Sequence, residues 1–276
     1  MLLKIKNILK KNFPKSYKIY RVLKGTDNNY KFSGWGMTTE TNPPWYNNNK
    51  NKTFDEFNET LLELSRLIHK NEFILTQFSD HDIDKVLNEL KWRHYVVHYT
   101  ASLAFSQTVN RNIVECGTCD GLTIFFAINK LKKDKSFKAF LYDAWDEMKE
   151  EYLTTPREKK NKGNYAYLDI EVTKKNLKNF RDNIIFNQGY IPEIFSKGTN
   201  PDKICWLHID LNSSKPTKES LDFFYPLLEV GGVILFDDYS WSGFVDTRKV
   251  IDDFFLDKKG EFFHVPTGQS FFIKQK

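Results

Sequence analysis

Ile204-Cys205-Trp206-Leu207-His208-Ile209-Asp210 and Gly232-Val233-Ile234-Leu235-Phe236-Asp237-Asp238 are two short apolar runs that each end abruptly in acid. Runs of that length and composition read as buried β-strands. Between them, Thr217 to Leu228 has helical spacing and stops at Gly231-Gly232. Strand, helix, strand predicts parallel neighbours whose C-terminal ends lie side by side. Asp210, Asp237 and Asp238 would then converge at the edge where open α/β sheets bind ligands. Like charges so close together need a cation, and an all-oxygen set suits Mg²⁺ or another hard divalent ion.

The same alternation extends in both directions. Upstream it predicts strand 112–115, helix 122–131, strand 137–142, a polar insertion over 147–166, helix 170–180 and strand 184–187. Downstream it predicts helix 247–255 and then strands 261–265 and 270–274, joined by Pro266-Thr267-Gly268-Gln269 as a hairpin. The expected fold is therefore α/β: a doubly wound, Rossmann-like sheet, mostly parallel, with an antiparallel C-terminal hairpin. Residues 111–276 make up this domain, and residues 1–110 form an N-terminal helical and lid region. Within that region Thr53-Phe54-Asp55-Glu56 is a capping box opening a helix to about His69, and a second helix starts near Ser79–Asp82 and runs to about Phe105. Residues 24–53 show no periodicity, yet carry Trp35 and Trp45, which suits an ordered lid.

Composition narrows the classes of function. The net charge of +5 is modest and spread along the chain of 276 residues, with no dense basic face, which argues against nucleic acid as a partner. No apolar run approaches the roughly 20 residues of a membrane span. The start, Met1 to Lys11, is amphipathic and basic, lacks a cleavage pattern, and suits a docked surface helix or a dimer contact better than a membrane anchor. Only Cys116, Cys119 and Cys205 are present, which points to a reducing cytoplasm rather than a disulfide framework.

Two strand ends carry further chemistry. Glu115-Cys116-Gly117-Thr118-Cys119-Asp120-Gly121 is a glycine-bearing turn into a helix, short of a full GxGxxG fingerprint. An acid before such a turn is a poor companion for pyrophosphate but suits a ligand carrying an ammonium. Roughly 25 residues on, Asp143 ends the next strand, placed to accept hydrogen bonds from an adenosine ribose, and Trp145 follows within reach of an adenine.

These motifs, with Asn187-Gln188-Gly189-Tyr190, His208-Ile209-Asp210-Leu211 and Tyr225 to Tyr239, resemble class I S-adenosylmethionine-dependent methyltransferases. Among them the chain looks like the macrocin O-methyltransferase family, metal-dependent enzymes acting on sugar hydroxyls. The resemblance spans about residues 112–274 and is most specific in 225–239 together with Asp210. It implies that Glu115, Gly117 and Gly121 line the methionine end of the cofactor, with Thr118 and Gly189 also on the cofactor site and Asp143 on the ribose. It implies equally that Asp210, Asp237 and Asp238 bind Mg²⁺, and that the loop from Gly34 to Trp45 closes over a small-molecule or glycan acceptor. The turn departs from the family where this chain has Cys119-Asp120.

The expected reaction is methyl transfer from S-adenosylmethionine to a hydroxyl of a sugar or glycosylated natural product. Such a hydroxyl is too weak an acid to ionise unaided, so metal coordination and a base are needed, and Asp210 and His208 are the candidate bases. The rival readings are a nicotinamide enzyme, a non-catalytic nucleotide-binding subunit, and methylation of a catechol or polyketide hydroxyl. Cys116-Gly117-Thr118-Cys119 also fits a redox CxxC, although the flanking acids disfavour a thiolate. His94 and His98 share a helix face without an evident third ligand, so packing is the expected role. The lysines of Lys159-Lys160-Asn161-Lys162 read as a solvated loop.

Overall fold

The computed structural model describes residues 52–276, apart from 133 and 135. The amphipathic start at Met1–Lys11 and the tryptophan-bearing loop from Gly34 to Trp45 lie outside the described residues. Seven strands form one sheet: β1 (Asn112–Cys116), β2 (Lys138–Asp143), β3 (Ile184–Gln188), β4 (Ile204–Ile209), β5 (Leu228–Phe236), β6 (Gly260–His264) and β7 (Ser270–Lys274). Their spatial order is β3-β2-β1-β4-β5-β7-β6, with β7 antiparallel to both its neighbours and the other pairings parallel. The strand order reverses between β1 and β4, which opens a crevice at their C-terminal ends. This is the Rossmann-like methyltransferase fold.

Seven α-helices flank the sheet among the described residues: α1 (Lys52–His69), α2 (Ile83–Gln107), α3 (Leu122–Leu131), α4 (Ile170–Asn176), α5 (Glu193–Lys197), α6 (Ser214–Phe224) and α7 (Val245–Phe255). The expected helix over 170–180 ends as α4 at Asn176 and continues only as a 3₁₀ turn, Lys178–Asn183. The five-residue helix α5 was not anticipated, being too short to show a period.

Alternation along the strands sets what faces what. On β1 and β4, Val114, Cys116, Leu207 and Ile209 point into a core shared with Leu221 and Phe224 of α6 and Ile251 of α7. Trp206 and His208 point the other way, and the fully buried Trp206 donates its indole N–H to Thr100 Oγ1 on α2 at 3.1 Å. Residues 52–276 fall in one compact unit, in which α2 packs on β5 and α3. The division after residue 110 therefore marks a change in sequence pattern, not a break in packing.

Phe57 on α1 is completely buried, with its ring against those of Tyr95, His98 and Phe126 at 5.4, 5.9 and 5.6 Å. His94 stacks on Phe126 at 4.4 Å, so this pair of histidines packs as expected and gathers no third metal ligand among the described residues. No described helix is long and apolar enough to cross a membrane.

Two outcomes follow. Phe57→Ala should cost about 3–5 kcal/mol in denaturant unfolding, because it opens a cavity between α1, α2 and α3. Burial, aided by Lys130, lowers His98 from 6.5 to about 4, so the fold holds it neutral. The unfolded chain then takes up a proton that the native chain refuses, and stability should fall as the pH drops from 6.5 towards 4. In paired titrations His98→Leu should flatten that slope by up to about one proton. An unchanged slope would mean that His98 titrates normally.

Candidate active site

The hydrogen-bond ladder continues for one residue past the strand ends, which carries the functional residues to a common edge. Gly117 N–H donates to the Tyr142 carbonyl (2.8 Å), Asp210 N–H to Cys116 (2.9 Å), Asp237 N–H to Ile209 (3.2 Å) and Gly189 N–H to Asp143 (2.8 Å). Gly117 has φ of +89°, and a Cβ there would stand 1.8 Å from the Asp210 carbonyl oxygen. Only glycine lets β1 turn this closely against β4.

Two clefts open on this edge. The first is lined by Gly117, Asp143, Gly189 and Tyr190 together with residues of the 144–169 insertion. The second, of 350 Å³, is lined by Asp210, Asp237, Asp238, Arg93, Phe78 and Trp241 among others. Gly117, Cys119, Tyr165, Asp210 and Asn212 belong to both, so the clefts meet there. Asn212 donates its side-chain N–H to Tyr165 Oη at 3.0 Å across that junction.

The insertion is strapped down rather than loose. Buried Glu158 accepts from the backbone N–H of Ser214 at 2.6 Å, which caps the first turn of α6, and from that of Thr154 at 2.9 Å. Ser213 Oγ donates to the Tyr152 carbonyl at 2.7 Å. Lys159 and Lys162 pair with exposed Glu150 at 3.4 and 2.9 Å, as a solvated loop would.

Asp210, Asp237 and Asp238 each offer an oxygen within 4.8 Å of the others, as the strand pattern anticipates. Three further side chains reach this cluster. The guanidinium of Arg93 on α2 bonds Asp237 Oδ2 closely and Asp238 Oδ1 at 3.3 Å. Gln269, from the β6–β7 turn, donates to Asp237 Oδ1 at 2.8 Å. His208 Nε2 stands 3.8 Å from the same oxygen, in ionic contact but too far for a hydrogen bond.

Charge explains the protonation of the group. Burial raises the Asp210 carboxyl well above the usual range, and the Asp237 and Asp238 charges push it further. Asp238 rises to about 6 from burial and the Asp237 charge. Burial would raise Asp237 too, but Arg93 and His208 outweigh it and hold the carboxyl low.

The structure corrects several expected roles. Glu115 lines neither cleft. It is wholly buried on the α2 side of the sheet, opposite His208 in the β1–β4 register, and meets His208 Nδ1 at 2.9 Å. His208 is equally buried. Burial would lower its pKa, yet Asp237 and Glu115 raise it to about 10, and its ring lines neither cleft. Trp145 is buried, its indole N–H shared between the Cys119 carbonyl at 3.0 Å and Thr173 Oγ1 at 2.8 Å, so it fastens the turn rather than facing an adenine. Gly121 faces Leu177 and Thr173 and serves packing. Thr118 lines the second cleft rather than the first.

Gly117, Asp143, Gly189 and Asp210 do line the first cleft. Asp143 also holds the turn, accepting the N–H of Cys119 at 2.8 Å and of Trp145 at 2.7 Å. Cys116 and Cys119 are unbridged, and burial pushes both thiols up, which removes the redox reading.

The donor chemistry fits a divalent cation. Four carboxylates, counting Glu115, are grouped with two cations, Arg93 and His208, and the buried His208 Nε2 has no hydrogen-bond partner. Full ionisation leaves a negative excess that a hard divalent ion would cancel.

Residues 114–239 match the family described as Methyltransferase domain. Among solved structures the chain is similar to the O-methyltransferase NovP, at 16% identity and a TM-score of 0.57 over 67% of this chain and 80% of that one. It is also similar to CalS11, a calicheamicin methyltransferase (17% identity, TM-score 0.48, covering 88% and 98%). A third is the methyltransferase PaMTH1 of Podospora anserina with S-adenosylhomocysteine bound (11% identity, TM-score 0.46, covering 96% and 97%). No curated protein is close enough in sequence to match. Residues 114–239, somewhat under half of the chain, therefore match a methyltransferase-domain family on a sheet of the same fold.

Gly117→Ala should destabilise the chain by about 2–4 kcal/mol, because either Asp210 or the β1 turn must move. Gly243 has nothing within 4 Å of its Cβ direction. Gly243→Ala is thus the control and should stay within about 0.5 kcal/mol in the same thermal melts.

Proposed function

We propose that the chain transfers a methyl group from S-adenosylmethionine to a hydroxyl of a sugar or other vicinal diol, with a divalent ion held by Asp210, Asp237 and Asp238. The observation that carries this reading is the meeting of two clefts at Gly117, Cys119, Tyr165, Asp210 and Asn212, with the acid cluster on the acceptor side. Further support comes from the methyltransferase-domain match over 114–239 and from the fold. The macrocin-like motif order favours a sugar.

When bound, S-adenosylmethionine supplies an electrophilic methyl on sulfur. A divalent ion supplies Lewis acidity that makes a coordinated hydroxyl easier to deprotonate. The chain's own residues do the rest. Gly117 lets a ligand approach the backbone at the cleft junction, and Asp143 offers a carboxylate on the first cleft to a ribose. Tyr165 and Asn212 wall off the meeting point, and the insertion tied by Glu158 excludes water from the first cleft. Of the two candidate bases, Asp210 lines both clefts and His208 lines neither, which favours Asp210. His208 holds Asp237 in place from below.

Calorimetric titration with S-adenosylhomocysteine, with Mg²⁺ or with EDTA, tests this directly. Wild type should bind in the micromolar range, and Asp143→Asn should bind about tenfold more weakly. Asp237→Ala should keep that binding but lose at least about 100-fold in turnover on a panel of sugar and diol acceptors. No binding by wild type in either condition would reject methyl transfer. Metal-dependent activity surviving in Asp237→Ala would reject the metal role alone.

A further inference from the structure

The acid cluster already contains a cation. Arg93 enters it from α2, and a single nitrogen, Nη2, reaches Asp237 and Asp238 at once. These are two of the three carboxylates that would hold a metal. The side chain is 15% exposed, its plane rests 5.6 Å from the Trp241 ring, and its Nη1 is buried without a partner. A guanidinium normally engages a carboxylate through both nitrogens of its fork. Here one nitrogen is spent on two acids and the other on none, which is a poor arrangement for a permanent ion pair.

The three carboxylates each offer an oxygen within 4.8 Å of the others, and the Arg93 nitrogen bonds two of the three acids that an ion would need. Trp241, half exposed at the mouth of the cleft, offers the departing guanidinium a ring face to rest on.

We propose that Arg93 is an exchangeable counter-ion of the acid cluster: its bridge to Asp237 and Asp238 and the bound divalent ion exclude each other, so that Arg93 sets the metal affinity of the site. This rests on the metal role proposed above. The bridge keeps three carboxylates together when no ion is present, and it lowers the apparent metal affinity by the fraction of molecules in which it is open. The competition also links α2 to the metal state. When the ion enters, α2 loses its polar tie to the end of β5.

Titration of the full chain with Mn²⁺, followed by the electron paramagnetic resonance of the free ion, reads this without any turnover. If the bridge is closed in about nine molecules of ten, Arg93→Gln should bind Mn²⁺ about tenfold more tightly than wild type. Arg93→Lys keeps a charge but lacks the fork, and should fall between the two. Circular dichroism melts establish that each variant is folded, and if Arg93→Gln is not, the comparison is carried by Arg93→Lys. Unchanged or weaker Mn²⁺ binding in the folded variants would overturn the exchange. Absence of Mn²⁺ binding in wild type and variants alike would overturn both the exchange and the metal role. S-adenosylhomocysteine binding would then decide separately whether methyl transfer stands.

Discussion

Repulsion among Asp210, Asp237 and Asp238 is the constraint that organises this end of the molecule. Parallel pairing of β4 with β5 forces the carboxylates together whatever they do to one another. Two like charges about 4 Å apart cost on the order of 4 kcal/mol at the effective dielectric of a protein site. The surrounding structure is arranged to offset that cost. Arg93 comes down from α2, Gln269 comes across from the β6–β7 turn, and protonated His208 stands beneath, itself held by Glu115. Remove Asp237, and the Gln269 amide N–H loses its acceptor while the buried Glu115–His208 pair loses the second acid beside it.

The two clefts depend on a different constraint, the closeness of backbones. Gly117 and Asp210 touch main chain to main chain, so the wall between the clefts is thin and polar at that point. A thick wall of side chains there would keep two ligands apart; a glycine lets them meet. The insertion then borders the first cleft, tied to the start of a helix by Glu158 and seated by the buried side chains of Leu153 and Leu168.

What could be read in the sequence was whatever is encoded locally. Strand β4 with Asp210, strand β5 with Asp237-Asp238 and helix Leu122–Leu131 carry their period and their end signals within a few residues. Arg93 and Glu158 could not be read that way, because each acts across distance: 144 residues separate Arg93 from Asp237, and 56 separate Glu158 from Ser214. Gln269 lay inside the hairpin turn that was expected, yet nothing in a turn sequence says that its amide points to an acid 32 residues earlier. Glu115 was misassigned for a plainer reason. It sits on the same strand face as Ile113, towards α2, and strand alternation carried it away from the turn whose motif it belongs to. Trp145 was misplaced because its backbone has φ of +46°, which no pattern of residue types announced.

The same charge balance bears on the acceptor. Carboxylates outnumber cations in the second cleft, and the one guanidinium there is already engaged with two of them. A phosphate or carboxylate brought against Asp210 would add to the negative excess, whereas a neutral diol would not. A diol also presents two adjacent oxygens, the pattern that a divalent ion held by aspartates accepts at its remaining positions. Phe78 and Trp241 line the same cleft and give the apolar face of a ring something to lie against. On the proposed reading, an uncharged polyol at the reacting end, with any anionic group kept well away from the acids, is the acceptor that the described lining of this cleft disfavours least.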